Sequence, residues 1–325
     1  MTPRGTRHVL DVDDLSCEEL TAILDLAERP PSSLPPVLAG QGVALVFQRP
    51  SARTRNAAEM AVVALGGHPV TIGAEEVGID RRESAEDVAR TLACYHAAVC
   101  ARVAEHQTLA RMARALDDAE RNVPVVNLLS DLAHPTQALA DLLTLRQHLG
   151  GLAGATVAYV GDANNVWRSL ALACAMSGVR LRTASPEGYG PDPDDLARIG
   201  RAGGEVEVGN DPEEAVCGAD AIYTDVWTSM GQEDEAELRR AAFAGFTVDE
   251  RLLGVAPAAV VLHCLPAHRG EEISAGVLEG PRSLVWRQAE NRMHAMRGLL
   301  AWLFGAADDA RGTPGASGPA GPVGT

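Results

Sequence analysis

"ATVAYVGDANNVWRSLALACAMSG", residues 155–178, passes from an apolar run through a polar turn into a stretch of helical spacing that stops at a glycine. That is strand, turn, helix, the unit from which a parallel sheet covered by helices is built. Its turn, Gly161-Asp162-Ala163-Asn164-Asn165, lacks the second and third glycines of G-x-G-x-x-G, so a dinucleotide pyrophosphate could not approach the backbone there. The same pattern recurs on both sides. "GVALVF" (42–47), "AAVCAR" (97–102), "PVVNLL" (124–129), "DAIYTDV" (220–226) and "AVVLHCL" (259–265) read as further strands bounded by glycine, proline or polar residues. Between them, "TRNAAEMAVVALGG" reads as a helix ended by glycine, and "HPTQALADLLTLRQHLGG" as a long helix begun by Pro135 and stopped by Gly150-Gly151. Lying near the middle of the chain, that long helix is expected to cross from one α/β domain to another.

Composition sets the outer limits. With 325 residues, 46% of them hydrophobic, the chain can bury a sizeable core, and its length favours two domains over one. A formal net charge of -16 argues against nucleic-acid and anionic-membrane surfaces, although a small anion needs only a local cluster of cations. All 28 basic residues are arginine, which excludes both a Schiff-base lysine and a Walker-type lysine. The six cysteines form no C-x-x-C pair, the stretch "MTPRGTRHVLDVDDLS" has no apolar h-region, and no run reaches 18 apolar residues, so neither a secretory leader nor a membrane span is expected. A cytoplasmic protein with reduced thiols is expected.

Cations do gather in one place. "SARTR", residues 51–55, follows the buried run Val43–Phe47 and precedes a helix expected to start near Asn56. Backbone N–H groups, hydroxyls and guanidinium forks in such a loop converge on a phosphate or carboxylate. Taken alone, Arg53 and Arg55 could equally be surface ion-pairing residues. His134 and Gln137 share one face of the long helix, Arg102 ends a strand, and Asp225 follows another, as ligand-binding residues do in open α/β sheets. Asp225 taken alone could be a helix cap, Cys264 a buried inert thiol, and His263, Cys264 and His268 a metal set.

Six segments taken together resemble the ornithine carbamoyltransferases, within the wider family of aspartate and ornithine carbamoyltransferases. They are "FQRPSARTR", "DLAHPTQALADLLTL", "GDANNVWRSLALACAMSG", "DVWTSMGQE", "LHCLPAHRGEE" and "AENRMHAM", in that order between residues 47 and 296, within a resemblance that spans roughly residues 7–304. The resemblance implies transfer of a carbamoyl group from carbamoyl phosphate to the side-chain amine of L-ornithine, giving L-citrulline and phosphate in arginine metabolism. It implies no metal and no organic cofactor, and a homotrimer or a multiple of trimers. Ser51, Ala52 through its backbone, Arg53, Thr54, Arg55, Arg102, His134, Gln137, Cys264, Leu265 and Arg292 would then hold carbamoyl phosphate. Asn165, Asp225, Ser229 and Met230 would hold ornithine, with Arg53, Arg102, His134, Asp225 and Cys264 taking the catalytic roles. The physical need is plain: fixed donors stabilise the carbonyl oxygen as the amine attacks, and an ammonium with a pKa near 10 must first lose a proton.

The expected architecture is α/β, with two doubly wound parallel-sheet domains joined by inter-domain helices. Residues 1–133 form a carbamoyl-phosphate domain, 134–150 the bridging helix and 151–287 an ornithine domain. A last helix, 288–304, returns to the first domain, and residues 305–325 form a disordered tail. Four positions depart from the family pattern: Ala52 replaces a threonine, Gly78 stands where many relatives have a glutamine reaching a neighbouring subunit, and Gln48-Arg49 replaces Glu-Lys. Two other readings remain: a carbamoyltransferase for another amine, such as putrescine or N-acetylornithine, and a non-catalytic, carbamoyltransferase-like regulatory subunit.

Overall fold

The computed structural model describes residues 6–119, 121–229 and 232–306. Met230 and the tail from residue 307 lie outside them.

Two parallel sheets stand side by side. The first holds β1 (Gly42–Phe47), β2 (His68–Gly73), β3 (His96–Arg102) and β4 (Val125–Leu129) in the order β2-β1-β3-β4. The second holds β5 (Thr156–Val160), β6 (Arg180–Ala184), β7 (Val206–Gly209), β8 (Ala221–Thr224) and β9 (Val260–His263) in the order β7-β6-β5-β8-β9. Each sheet is wound outward in both directions from its first strand, so each has a switch point where two strand ends diverge. These lie between β1 and β3 and between β5 and β8, and a crevice at the strands' carboxyl ends follows from the topology. The expected α/β class is what the chain adopts.

Three strands escaped the sequence reading. β2 and β7 are sheet edges with little burial, and β6 alternates Arg180 and Arg182 with the buried Leu181 and Thr183. An edge strand needs no continuous apolar run, because only one side of it is covered.

A second difference concerns "SARTR". The helix Ala52–Ala64 starts four residues earlier than expected, because Ser51 is its N-cap and accepts a hydrogen bond from the Thr54 N–H. Arg53, Thr54 and Arg55 are thus the first helical turn, not a loop, and the anion-attracting end of the helix coincides with the arginines.

Two long helices join the sheets. Pro135–Leu149, with Gly150 as its cap, is buried along Pro135–Leu145 and packs against the first helix, Cys17–Glu28, and against Asn165–Ser177. Val285–Leu303 begins beside β9 and runs back to pack on Cys17–Glu28, Ala52–Ala64 and Pro135–Leu149. Gly298 permits that crossing: a Cβ there would lie 2.5 Å from the Ile23 carbonyl oxygen and 2.8 Å from Ala27 Cβ. Near the amino terminus, Arg198 of Pro193–Arg201 pairs with Asp11 at 2.8 Å and with Asp13, tying the first layer to the second. Among the described residues no helix is long and apolar enough to cross a membrane.

Candidate active site

The carboxyl ends of the two sheets face one another across a cleft of about 530 Å³. One wall comes from the first sheet and its helices: Ser51, Arg53, Thr54, Arg102 and His134, joined by Arg292 of the last long helix. The opposite wall carries Asn164, Asn165, Asp225, Ser229, Cys264 and Leu265.

The first wall is a cluster of cations in which Arg102 and Arg292 are buried and Arg53 is exposed. Arg292 is nearly inaccessible, and its fork donates one hydrogen bond to Gln137 Oε1 and one to Thr54 Oγ1, each 2.7 Å. It therefore fastens the first turn of Ala52–Ala64 to the first turn of Pro135–Leu149. Arg102, at the end of β3, is pushed down to about 10 by burial and then by the neighbouring guanidinium groups of Arg292, Arg49 and Arg53. His134 caps the start of the long helix with its backbone and donates its N–H to Ser169 Oγ at 2.8 Å. Burial, followed by Arg292 and Arg102, holds its imidazole well below the usual histidine range, so the ring is neutral at physiological pH. A like-charged group of this kind is an electrostatic vacancy for an anion.

Gln137 does not line the cleft. Its amide N–H₂ donates to Asp141 Oδ1 at 2.8 Å, and its carbonyl accepts from Arg292. Asp141 also accepts from Gln288 Nε2 at 2.7 Å, and Gln288 Oε1 accepts the His263 N–H at 2.8 Å. A buried polar chain thus runs from the bridging helix through the last helix to β9. Burial raises Asp141 to about 7, against hydrogen bonds from the two glutamines that pull the other way.

The second wall is built around a carboxylate. Asp225, one residue beyond β8, is nearly inaccessible; its Oδ1 accepts from Cys264 Sγ and from the Val226 N–H, each at 2.8 Å, and its Oδ2 accepts from Asn164 Nδ2 at 2.9 Å. Burial and then the Asp225 charge hold the Cys264 thiol well above its usual range, so sulfur keeps its proton and donates it. Asn165 donates to the Ser130 carbonyl at 2.6 Å, across to the first sheet's side. Asn164 was missed by the sequence reading, yet it binds Asp225 while its Oδ1 caps the helix Asn165–Ser177.

Leu265 has a left-handed backbone (φ +60) and is held there by its own N–H, which donates to His263 Nδ1 at 2.9 Å. His263 Nε2–H in turn donates to the buried Glu272 Oε1 at 3.0 Å. Both ring nitrogens of His263 are therefore committed, which removes it as a metal ligand from the set weighed on sequence. Arg239, also unforeseen, bridges Asp162 Oδ2 at 2.8 Å and the Trp227 carbonyl at 2.9 Å on the cleft's floor.

Two side chains from the expected phosphate segment line a neighbouring groove. Ala52 and Arg55 line an adjacent groove with Phe47 and Thr71, and Arg55 pairs with Glu59 at 2.8 Å. Gly78 ends the short helix Ala74–Val77 in a left-handed conformation (φ +55), which gives glycine a local reason at that position.

Comparison with known proteins matches this geometry. Residues 7–147 match the carbamoyl-P binding domain of aspartate/ornithine carbamoyltransferases, and residues 153–303 match their Asp/Orn binding domain. The chain is 51% identical to an ornithine carbamoyltransferase of Acidothermus cellulolyticus over 95% of its own length and 99% of the relative's. The crystal structure of ornithine carbamoyltransferase from Thermus thermophilus superposes with a TM-score of 0.83 at 45% identity, covering 93% of this chain and 100% of that one. The enzyme from Pyrococcus furiosus superposes with a TM-score of 0.85 at 41% identity, over 93% and 98%. The chain belongs to the aspartate/ornithine carbamoyltransferase family.

Proposed function

We propose that the protein transfers the carbamoyl group of carbamoyl phosphate to the side-chain amine of L-ornithine, releasing L-citrulline and phosphate. The observation that carries this reading is the opposition of two unlike walls: Arg53, Arg102 and Arg292 with a neutral His134 on one, and the Asp225–Cys264 pair on the other.

The phosphate dianion of the donor is drawn to the cation wall, where the N-terminus of Ala52–Ala64 and Ser51 add donors. Arg102 and His134 face the carbamoyl oxygen, and their fixed dipoles gain strength as that oxygen takes up charge in the tetrahedral transition state. The substrate ammonium binds Asp225 and gives it one proton, the freed amine attacks the carbamoyl carbon, and the departing phosphate takes the second proton from nitrogen. The C–O bond to phosphate then breaks, and the arginines stabilise the departing phosphate. Cys264, as a thiol, fixes the direction of the Asp225 carboxylate and is not itself a base. Asn165 and Ser229, which line the same wall, would hold the amino-acid end of the acceptor, and the assignment to ornithine is supported by them together with the family membership.

The assembly we propose is a homotrimer or a multiple of trimers, supported by half-exposed Met60 and Val63 on Ala52–Ala64 beside the groove that holds Arg55. Six cysteines without a disulfide support a reducing, cytoplasmic location. Citrulline formation with ornithine, run beside putrescine, aspartate and N-acetylornithine, tests the acceptor. Turnover with ornithine alone is expected. Turnover with another amine only would overturn the acceptor assignment, and carbamoyl phosphate binding without any turnover would point to a regulatory subunit.

A further inference from the structure

Beyond the cleft, the turn that follows β9 brings His268, Glu271 and Glu272 together, with one possible ligand atom from each lying within 4.8 Å of the other two. Glu271 and Glu272 each keep one carboxylate oxygen out of the hydrogen bonds they make elsewhere. Glu271 gives Oε1 to Arg240 Nε at 3.0 Å, which leaves Oε2, 3.8 Å from His268 Nδ1. Glu272 gives Oε1 to His263 Nε2 at 3.0 Å and to the His268 N–H at 2.5 Å. Its Oε2 is buried, has no hydrogen-bond partner, and points toward His268 Nδ1 at 4.0 Å.

The Glu272 side chain is fully inaccessible, so an unpartnered oxygen on it carries a desolvation cost that a ligand would offset. We propose that His268, Glu271 and Glu272 form a binding site for a first-row divalent cation, with water completing its shell. One imidazole nitrogen and two carboxylate oxygens suit zinc or cobalt better than calcium or magnesium, which take oxygen alone. Bond lengths of about 2.0–2.2 Å place such ligands roughly 3.3–3.6 Å apart, so the atoms must close by up to about 1.5 Å. His268 is half exposed and free to make that movement.

The test is a titration of the metal-free, full-length protein with Co²⁺, followed by visible absorption and calorimetry. One Co²⁺ per chain is expected, with no thiolate charge-transfer band, and the uptake should survive in Cys264→Ser. Affinity should fall about tenfold or more in His268→Gln and in Glu271→Gln, neither of which should alter melting of the metal-free protein. The proposal is overturned by absence of stoichiometric uptake, or by uptake indifferent to both of those variants. It is also overturned by a thiolate band that Cys264→Ser abolishes, which would put the ion on Asp225 and Cys264 instead.

Discussion

Replacing Asp141 with asparagine isolates the charge at the centre of the buried chain between the sheets. In the native protein this carboxyl is raised to about 7 by burial, from an ordinary value of 3.8. Between those two values the folded state holds a proton that the unfolded state has released, so stability falls as pH rises through the window. Three pKa units correspond to about 4 kcal/mol in all, at about 1.4 kcal/mol each. Integrated with these two pKa values, about half of that, roughly 2 kcal/mol, falls between pH 5.5 and pH 8.5. Asparagine keeps an oxygen for Gln137 and Gln288 and never ionises, so it is free of this penalty. Its stability relative to the wild type should therefore grow by about 2 kcal/mol across that interval, which urea unfolding at the two pH values measures directly. An advantage unchanged between pH 5.5 and 8.5 would mean that the carboxylate is ionised in the native state throughout, and that the glutamines and Arg292 outweigh burial.

Arg292→Lys replaces a fork that spans Thr54 and Gln137 with a single point charge; kcat/KM for carbamoyl phosphate should drop about 100-fold, as steady-state kinetics would register. Gly298→Ala pushes a methyl group into the Ile23 carbonyl and should cost about 1–3 kcal/mol, read as a lowered melting temperature; an unchanged one would show that the helices can part. Ala52→Thr adds a hydroxyl that faces the neighbouring groove instead of the cleft, so the carbamoyl phosphate Kd of the variant should stay within about twofold by calorimetry, since the backbone N–H is retained.

What could be read in the sequence follows a physical division. Strands buried on both faces announce themselves as apolar runs, and all six expected strands lie where such runs occur. β2 and β7 are little-buried edge strands, and β6, though paired on both sides, alternates Arg180 and Arg182 with buried residues, so none of the three shows an apolar run. The start of Ala52–Ala64 was hidden for a different reason: "SARTR" reads as an anion loop, and its serine reads as a ligand before it reads as a cap. The polar chain behind the cleft left only a faint mark. Gln137 and Asp141 are four residues apart on one helix, as are Gln288 and Arg292 on another, and i,i+4 spacing puts each pair on a common face. Spacing cannot say that the two faces meet, because the residues are separated by some 150 positions and brought together only by the packing of Val285–Leu303 on Pro135–Leu149. Asn164 and Asn165 raise the same difficulty at short range, since which of two adjacent asparagines reaches Asp225 is settled by the helix cap.

That packing also explains how a chain with a net charge of -16 keeps Arg53, Arg102 and Arg292 close together in one cleft. Burial and mutual repulsion both work against Arg102 and Arg292 as cations. Arg292 stays in place because Thr54 and Gln137 take its hydrogen bonds, and Gln137 is in turn held by Asp141. These partners are neutral or, at Asp141, largely protonated below neutral pH, so they fix the guanidinium's position without cancelling its charge. A carboxylate in direct contact would have been more stabilising locally, and it would also have competed with the incoming phosphate. Positioning by amides and hydroxyls leaves the field of the cluster for the anion, and binding a dianion relieves the repulsion that folding alone leaves in place. The acidic remainder of the molecule does not defeat this, because charges more than about 8–10 Å away through solvent are screened while those inside the cleft are not.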